Sequence, residues 1–289
     1  MTVAQVRRLI VEQFPQWSSL PVRAVDHGGW DNWTFRLGST LSVRLPSAAE
    51  YGLAVDKEHR WLPVLAPQLP MAVPNPLGRG EPGAGYPFSW SVYGWLPGQP
   101  MRADLVRDPV RFAGDLAAFL EALRRVDPTG GPRPGVHSWF RGGTLRTFDE
   151  TVRDAVTTLG DTVDADRVHA VWAAALEARW DGVASWFHGD VAAGNLLLDG
   201  GDLAAVIDFG TCGVGDPACD VAAAWTLLTT QGRRVFRDQL DIDDGEWARG
   251  RGWALWKALS GCAATADRPS SGEGIEPRRV LSRILAAAP

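Results

Sequence analysis

WFHGDVAAGNLLLDGGDLAAVIDFGTCGVGDPACD, residues 186–220, is the stretch of sequence from which the fold of this chain can be predicted. Within it, Leu196–Leu198 and Ala204–Ile207 are short apolar runs separated by the polar, glycine-rich segment Asp199–Asp202. Two short apolar runs with a turn signal between them are typical of a β-hairpin. Because the two ends of a hairpin lie side by side, the residues that flank this one are expected to be neighbours in space.

Three polar side chains flank the predicted hairpin. Asp190 and Asn195 precede its first strand, and Asp208 directly follows its second strand. A carboxylate, a carboxamide and a second carboxylate would therefore converge at one end of the hairpin. Such a cluster is suited to holding a divalent cation and to deprotonating a hydroxyl group. The alternative is that both aspartates are structural and cap loops or pair with arginine.

The length and composition are those of an ordinary globular protein. The chain has 289 residues, of which 45% are hydrophobic and 22% are charged, and its formal net charge is −5. This length suits one large domain or two lobes. The negative charge argues against a nucleic-acid-binding protein and weakly favours a cationic small-molecule partner. No apolar run approaches membrane-spanning length, so no membrane partner is expected.

The cysteines and the N-terminus predict a cytoplasmic protein. Cys212, Cys219 and Cys262 are odd in number and match no metal-binding spacing, which favours reduced thiols. The N-terminal sequence is amphipathic and does not resemble a signal peptide. The chain is expected to act as a monomer or a dimer.

The remaining periodicity predicts an α+β fold with two lobes. A helix, three antiparallel strands, a second helix capped by Ser47 and a further strand are expected at about 2–14, 22–27, 33–37, 41–45, 47–65 and 86–95. Further helices are expected at about 108–125, 147–159, 164–180, 216–229, 231–240, 243–262 and 277–287. We therefore predict a small antiparallel-sheet lobe over residues 1–94 and a larger, mainly helical lobe over residues 95–289.

This organisation resembles the aminoglycoside phosphotransferase family, a branch of the protein-kinase-like superfamily. His188-Gly189-Asp190 followed by Asn195 matches the family's HGD-x4-N loop, and its spacing equals that of the protein-kinase catalytic loop. Ile207–Gly210 matches the family's IDFG segment, and Gly215-Asp216-Pro217 with Asp220 matches its G-D-P-x-x-D segment. The resemblance covers most of the chain and is strongest from 186 to 225.

The resemblance implies a role for each matched acidic or amide residue. Asp190 would orient the acceptor hydroxyl and take its proton, as the corresponding aspartate does in kinases. Asn195 and Asp208 would ligate Mg²⁺, which bridges the nucleotide phosphates. Asp216 would cap a helix, and Asp220 would anchor the catalytic loop.

The resemblance also implies a site for the phosphates in the N-terminal lobe. The turn that contains Gly28 and Gly29 and ends near Asn32 would cover the phosphates, although a plain hairpin turn is the alternative. Arg44 stands where the family usually has lysine. Its planar guanidinium would contact phosphate oxygens and pair with Glu58, and this departure is expected to affect nucleotide affinity and rate.

The connector between the lobes would hold the nucleotide base. Tyr93, Gly94 and Leu96 align with the hinge of the family, where the backbone of Gly94 and Leu96 would form hydrogen bonds with a purine. Because backbone contacts leave no trace in a sequence, ATP and GTP are both candidate donors.

The acceptor is the least determined part of the prediction. In the family, acidic groups in the C-terminal region bind the ammonium groups of aminoglycosides, and this chain has an acidic run from Asp238 to Glu246. Helix capping is the favoured interpretation of that run. Trp247, Trp253 and Trp256 fall near helical spacing and are expected in the core rather than in a sugar-stacking platform.

The resemblance therefore implies an O-phosphotransferase that moves the γ-phosphoryl group of ATP or GTP to a hydroxyl of a small molecule. An aminoglycoside-type antibiotic is the first candidate, with resistance or self-protection as the outcome. The alternative acceptors are a macrolide, a nucleoside antibiotic, homoserine, choline and a sugar. A protein kinase is disfavoured, because no APE-type activation segment is evident between Asp208 and Asp216. A nucleotide-binding pseudoenzyme is suggested only by Arg44.

Overall fold

The structure, a computed structural model, describes residues 1–25, 31–267 and 272–287. It confirms the α+β fold, with an antiparallel sheet near the N-terminus and a mainly helical C-terminal part. The helices are α1 (Val3–Gln13), α2 (Ala49–Leu65), α3 (Pro109–Arg125), α4 (Asp149–Leu159), α5 (Ala165–Glu177), α6 (Ala218–Val221), α7 (Ala223–Thr226), α8 (Thr230–Gln239), α9 (Asp244–Ala264) and α10 (Gly272–Ala286). The strands are β1 (Val22–Ala24), β2 (Asn32–Leu37), β3 (Leu41–Pro46), β4 (Pro76–Gly80), β5 (Trp90–Gly94), β6 (Gln99–Pro100), β7 (Ser185–Phe187), β8 (Leu196–Asp199), β9 (Asp202–Val206) and β10 (Gly213–Gly215).

The N-terminal sheet places Arg44 at its centre. Its strand order is β1-β2-β3-β5-β4, and the neighbouring strands are antiparallel. On the central strand β3, Val43 and Leu45 are fully buried while Arg44 between them is partly exposed. Successive side chains of a strand point to opposite faces, so Arg44 lies on the face opposite the apolar core formed with α1.

The C-terminal part packs around α9. Two glycines allow neighbouring elements to approach this helix closely, because a Cβ at Gly250 would lie 2.5 Å from Val221 and a Cβ at Gly252 would lie 2.5 Å from Ala175. The buried Trp253 and Leu255 continue the contact into the large apolar core. This packing brings the C-terminal half of α9, including Lys257, against the loop that follows β7.

The predicted hairpin is confirmed. Strands β8 and β9 pair antiparallel, and β6 from the connector adds to β8 as a third strand. The amide of Ile207 donates to the carbonyl oxygen of Asn195 over 2.8 Å, which holds the two ends of the hairpin together. The division at residues 94 and 95 stays a prediction, although separate apolar clusters form in the sheet region and in the helical region.

Several predicted elements need correction. Helix α2 begins at Ala49 with Ala48 at the N-cap position, so Ser47 is not its N-cap residue. The helix expected over 216–229 is divided into α6 and α7. Strand β4 was not predicted, because its sequence PLGRG contains few strand-forming residues and its pairing with β5 is a tertiary effect.

The described helices include none that is both long enough and apolar enough to span a membrane. The three cysteines are buried free thiols.

Candidate active site

The loop that carries Asp190 is fixed by a buried carboxylate. The amides of His188 and Gly189 donate to the two carboxylate oxygens of Asp220 over 2.8 and 2.7 Å. Thr211 donates from its hydroxyl to the carbonyl oxygen of His188 over 2.9 Å. Gly189 has a φ of +86°, and a Cβ there would meet Thr211 Oγ1 at 2.9 Å. The predicted anchoring role of Asp220 is confirmed by these contacts.

Asp190 is held as a carboxylate by charged and polar neighbours. Lys257 Nζ lies 2.6 Å from its Oδ1, and the Asn195 amide nitrogen donates to its Oδ2 over 3.0 Å. Burial acts to raise the pKa of Asp190, but Lys257, with smaller effects from His188 and Arg141, brings that pKa below its ordinary value. Asp190 is therefore ionised at neutral pH and can accept a hydrogen bond from a hydroxyl group.

Asn195 and Asp208 present the oxygen donors expected of a magnesium site. Asn195 uses its side-chain nitrogen in contacts with Asp190, which leaves its side-chain oxygen as the atom available to a metal. Asp208 has a φ of 67° and begins the tight turn Phe209–Thr211. Among the described residues, no group of three or more histidine, cysteine or acidic side chains could hold a metal. The donor set fits Mg²⁺, which binds through few protein oxygens together with phosphates.

Arg44 contacts a different carboxylate from the one predicted. Its Nη2 lies 3.4 Å from Asp208 Oδ1, and its side chain is 19% exposed. Glu58 instead accepts a hydrogen bond from the Tyr93 hydroxyl, and no partner is found among the described residues for its buried Oε1. Burial raises the pKa of Glu58 although Arg44 opposes that shift. The expected Arg44–Glu58 ion pair is therefore wrong, because Glu58 lies against the neighbouring strand β5 and Asp208 takes the contact with Arg44.

Two backbone donors of the predicted hinge are used within the protein. The Gly94 amide donates to the carbonyl oxygen of Asn75 over 3.1 Å, so this donor is used within the protein. The Trp95 amide is likewise used by Thr40, over 2.8 Å. No backbone acceptor for the Leu96 amide is found in the described part of the chain, and this amide remains the candidate donor to a nucleotide base.

One cleft brings most of the predicted site residues together. Its volume is about 1170 Å³, and its walls include Asp190, Asn195 and Asp208. The nucleotide-site candidates that line it are Asn32, Arg44, Tyr93, Gly94 and Leu96. Glu58 lines a small recess behind Arg44 rather than the cleft itself. Gly28 and Gly29 lie outside the described residues.

Two site residues were missed by sequence reasoning, and they are the only lysines in the sequence. Lys257 contacts Asp190 across 67 residues of chain. Lys57 is buried, and its Nζ donates to the carbonyl oxygens of Gly210, Cys212 and His137 over 2.6, 3.0 and 3.1 Å. Lys57 therefore ties α2 to the turn after Asp208. The rarity of lysine in an arginine-rich chain was the signal that could have identified both.

The acidic run is used by the fold. Asp243 caps α9 by accepting from the Glu246 amide over 2.6 Å, Asp244 pairs with Arg237, and Glu246 pairs with Arg124 at 2.6 Å. The capping interpretation is therefore confirmed for this part of the run.

The tryptophans of α9 differ in their surroundings. Trp253 is buried as predicted, and Trp247 packs on Trp225 with ring centroids 5.2 Å apart. Trp256 is partly buried: it packs against the large apolar core, with its ring centroid 4.3 Å from that of Phe148, and it also lines the cleft. It lines a small recess together with Asp190 and Lys257.

The Lys257–Asp190 contact predicts a pH effect. In Lys257→Met the main influence that lowers the pKa of Asp190 is lost, so that pKa rises and the acid limb of the kcat/KM profile moves to higher pH. Lys257→Arg keeps the positive charge and is the matched control. The measurement is phosphoryl transfer from labelled nucleotide across a pH series. A profile for Lys257→Met that superimposes on that of the wild type would contradict this role of Lys257.

Comparisons with known proteins agree with this geometry. The model of the phosphotransferase enzyme family (APH) matches residues 22–254. Among solved structures, the GDP and kanamycin complex of APH(2")-IIia is 19% identical, covers 96% of this chain and 97% of that chain, and has a TM-score of 0.76. A macrolide 2'-phosphotransferase type I is 20% identical, with all of both chains covered and a TM-score of 0.63.

A third similar structure is the apoenzyme of the macrolide 2'-phosphotransferase MphH from Brachybacterium faecium. It is 18% identical, covers 99% of both chains and has a TM-score of 0.62. No curated protein matches the chain. The solved structures, all of them distant in sequence, share the fold.

Proposed function

We propose that this chain, which belongs to the phosphotransferase enzyme family, moves the γ-phosphoryl group of ATP or GTP to a hydroxyl group of a small antibiotic or related metabolite. Phosphorylation of an antibiotic would give resistance or self-protection. Aminoglycosides and macrolides are the first acceptor classes to test, since similar structures carry kanamycin or are macrolide 2'-phosphotransferases.

The observation that carries this proposal is the convergence of Asp190, Asn195 and Asp208 in one cleft with Arg44. An ionised carboxylate there can bind a hydroxyl group, while the opposite side of the cleft offers a guanidinium for phosphate oxygens. A cleft of about 1170 Å³ is large enough for a nucleotide and a small acceptor together.

Each of these residues has its own role in the proposed reaction. The acceptor hydroxyl donates a hydrogen bond to Asp190, and its proton passes to that carboxylate as its oxygen bonds to the γ-phosphorus. The bond from the γ-phosphorus to the bridging oxygen breaks, which yields a nucleoside diphosphate and a phosphate ester. Lys257 and Asn195 hold Asp190 in position. Positioning and charge neutralisation supply most of the catalysis in such transfers.

Mg²⁺, when bound, neutralises charge on the phosphate oxygens, and Asn195 and Asp208 are the residues that would hold it. The side-chain oxygen of Asn195 is suited to this because the nitrogen of the same amide faces Asp190. Arg44, 3.4 Å from Asp208, would contribute a second positive charge to the phosphate oxygens.

The test is a transfer assay with [γ-³²P]ATP and [γ-³²P]GTP. Purified protein with Mg²⁺ is incubated with kanamycin, erythromycin, uridine, homoserine, choline and glucose, and labelled products are separated by chromatography. We expect a labelled phosphate ester of at least one hydroxylated compound, which disappears when the metal is chelated. Binding of nucleotide without transfer to any acceptor in a broad panel would support a pseudoenzyme and contradict the proposal.

A further inference from the structure

The cleft beside Asp190 has a second wall that the nucleotide candidates do not form. A recess at this point is lined by Asp190 together with Arg141, Trp253, Trp256 and Lys257. None of Asn32, Arg44 and Leu96 belongs to this recess, whose volume is only about 20 Å³. Arg141 and Trp256 also line the main cleft, so an acceptor bound in that cleft beside Asp190 can contact both side chains. Asp190 is the only carboxylate among the residues that line the recess, against two cationic side chains.

Two cationic side chains line this wall, and Arg141 is the one whose N–H groups do not donate to a carboxylate in the described part of the chain. Its guanidinium carbon lies 4.9 Å from the ring centroid of Trp256. Among the described residues, the guanidinium donates one long hydrogen bond. It runs from Nη1 to the carbonyl oxygen of Trp139 over 3.4 Å. In contrast, Lys257 pairs with Asp190, and Arg44 pairs with Asp208. Burial lowers the pKa of Arg141, but an arginine keeps its charge at neutral pH. Arg141 therefore offers a partly desolvated positive charge to a ligand.

Aromatic side chains line the main cleft next to this wall. Trp139 is 43% exposed, lines the cleft and packs against Tyr51 with ring centroids 5.9 Å apart. Trp256 lines the cleft together with Arg141. Flat apolar surfaces of this kind hold the ring of a ligand at little cost in side-chain entropy.

The segment that carries Trp139 and Arg141 is held in a strained conformation. Trp139 and Phe140 have φ values of 50° and 58°, in the left-handed region that non-glycine residues rarely adopt. Such a conformation persists only where the surroundings enforce it, and it is common at ligand-binding sites. Here Lys57 binds the carbonyl oxygen of His137 at 3.1 Å, and Ser138 contacts the backbone of Gly135. The protein therefore enforces the placement of Trp139 and Arg141 in the cleft.

We propose that the acceptor is a hydroxylated compound that carries an apolar ring and a carboxylate, and not a polycationic aminosugar. This inference rests on the proposed phosphotransferase function. Arg141 binds the carboxylate, Trp139 and Trp256 hold the ring, and Asp190 accepts the hydroxyl proton. The charge-assisted hydrogen bonds of a guanidinium to a carboxylate are about twice as strong as neutral ones.

The wall offers a polycation no carboxylate other than Asp190, which already pairs with Lys257. Of the acidic run from Asp238 to Glu246, Asp243, Asp244 and Glu246 are used in a cap and in ion pairs, and Asp238 and Asp241 are exposed and do not line the recess. The neighbouring cavity beside Trp139 is also lined by acids. Glu50 is exposed there, so its charge is screened by water, while Asp208 pairs with Arg44 and Asp31 lines the small recess behind Arg44. An ammonium group beside Arg141 and Lys257 would instead meet like charges.

The test compares three probes with the same phenyl ring and one hydroxyl: 3-phenyllactate, its methyl ester and phenylalaninol, which are anionic, neutral and cationic. Their kcat/KM values are measured with labelled ATP and Mg²⁺, and their Kd values by calorimetry on protein loaded with Mg²⁺ and ADP. We expect the acid to be preferred over the ester by about tenfold or more, and the ester over the amine. Arg141→Met should reduce the ratio of acid to ester to about threefold or less. Arg146→Met, which removes a nearby exposed arginine outside the cleft, is the control and should leave that ratio unchanged.

Several results would overturn the inference. The first is that 3-phenyllactate binds no more tightly than its methyl ester. The second is that the wild-type protein binds none of the three probes. The third is that phenylalaninol or kanamycin binds more tightly, or is turned over faster, than 3-phenyllactate. If kanamycin is phosphorylated, the phosphotransferase function stands and only the acceptor class is wrong. If nothing is phosphorylated, the proposed function fails, and the Kd values still decide which acceptor chemistry the wall prefers.

Discussion

We expect Asp190→Asn to lower the kcat of phosphoryl transfer by about 10²- to 10⁴-fold, which is the usual contribution of a positioned acid or base. The carboxylate lies at the end of a loop fixed by Asp220, and it is ionised because Lys257 lowers its pKa. An asparagine keeps the size of the side chain but loses the charge and the ability to take a proton. The assay is transfer of label from [γ-³²P]ATP to the best acceptor at saturating substrate.

The fold and the nucleotide site should survive this substitution. The Lys257–Asp190 contact is partly exposed, so its loss is expected to cost about 1 kcal/mol or less in the free energy of unfolding. The nucleotide Kd is the second readout. Asp199→Asn, on the exposed turn of the hairpin, is the matched control. A kcat for Asp190→Asn within tenfold of the wild type would rule out the assigned role.

The largest expected loss of stability comes from Arg249→Met. Arg249 Nε lies 2.8 Å from Asp216 Oδ2, and the two side chains are only 11% and 6% exposed. Removing the arginine leaves the charge of Asp216 buried without its partner, which typically costs about 3–5 kcal/mol. Asp216 also accepts from the Ala218 amide over 3.1 Å, so the start of α6 should be affected as well. Urea unfolding followed by tryptophan fluorescence measures the change.

An exposed ion pair provides the comparison for Arg249. Arg167 and Asp164 lie 3.3 Å apart with side chains 65% and 52% exposed, and Arg167→Met should cost about 1 kcal/mol or less. The double variant Asp216→Asn/Arg249→Met should be more stable than the sum of the two single changes predicts, because no unpaired charge remains. Equal losses for Arg249→Met and Arg167→Met would show that burial of the pair does not matter.

The parts of the molecule that could be predicted are those specified by neighbouring residues. The hairpin of β8 and β9 follows from two apolar runs around a polar, glycine-containing turn, and the capping role of Asp243 follows from its position before a helix. The closeness of Asn195 and Asp208 then follows from the fact that the two ends of a hairpin are adjacent, whereas the position of Asp190 also depends on the distant Asp220.

The parts that could not be predicted depend on contacts between distant segments. The sequence does not show that Arg44 would contact Asp208 while Glu58 would accept from Tyr93, since those choices depend on how α2 packs against the sheet. The contact of Lys257 with Asp190 depends on the packing of α9, to which Gly250 and Gly252 contribute. Strand β4 could not be predicted for the same reason: its residues have a low strand propensity, and it becomes a strand because it pairs with β5.

The different exposure of the two lysines offers a way to label the candidate active site chemically. The ammonium group of Lys57 is buried against carbonyl oxygens, whereas the side chain of Lys257 is 44% exposed beside Asp190. Of the two lysine side chains, an amine-directed acylating reagent would therefore modify only Lys257 while the protein is folded. The mass added at this one position would report whether a ligand occupies the cleft. Acceptors could thus be screened by mass spectrometry through protection from labelling, without any assay of turnover.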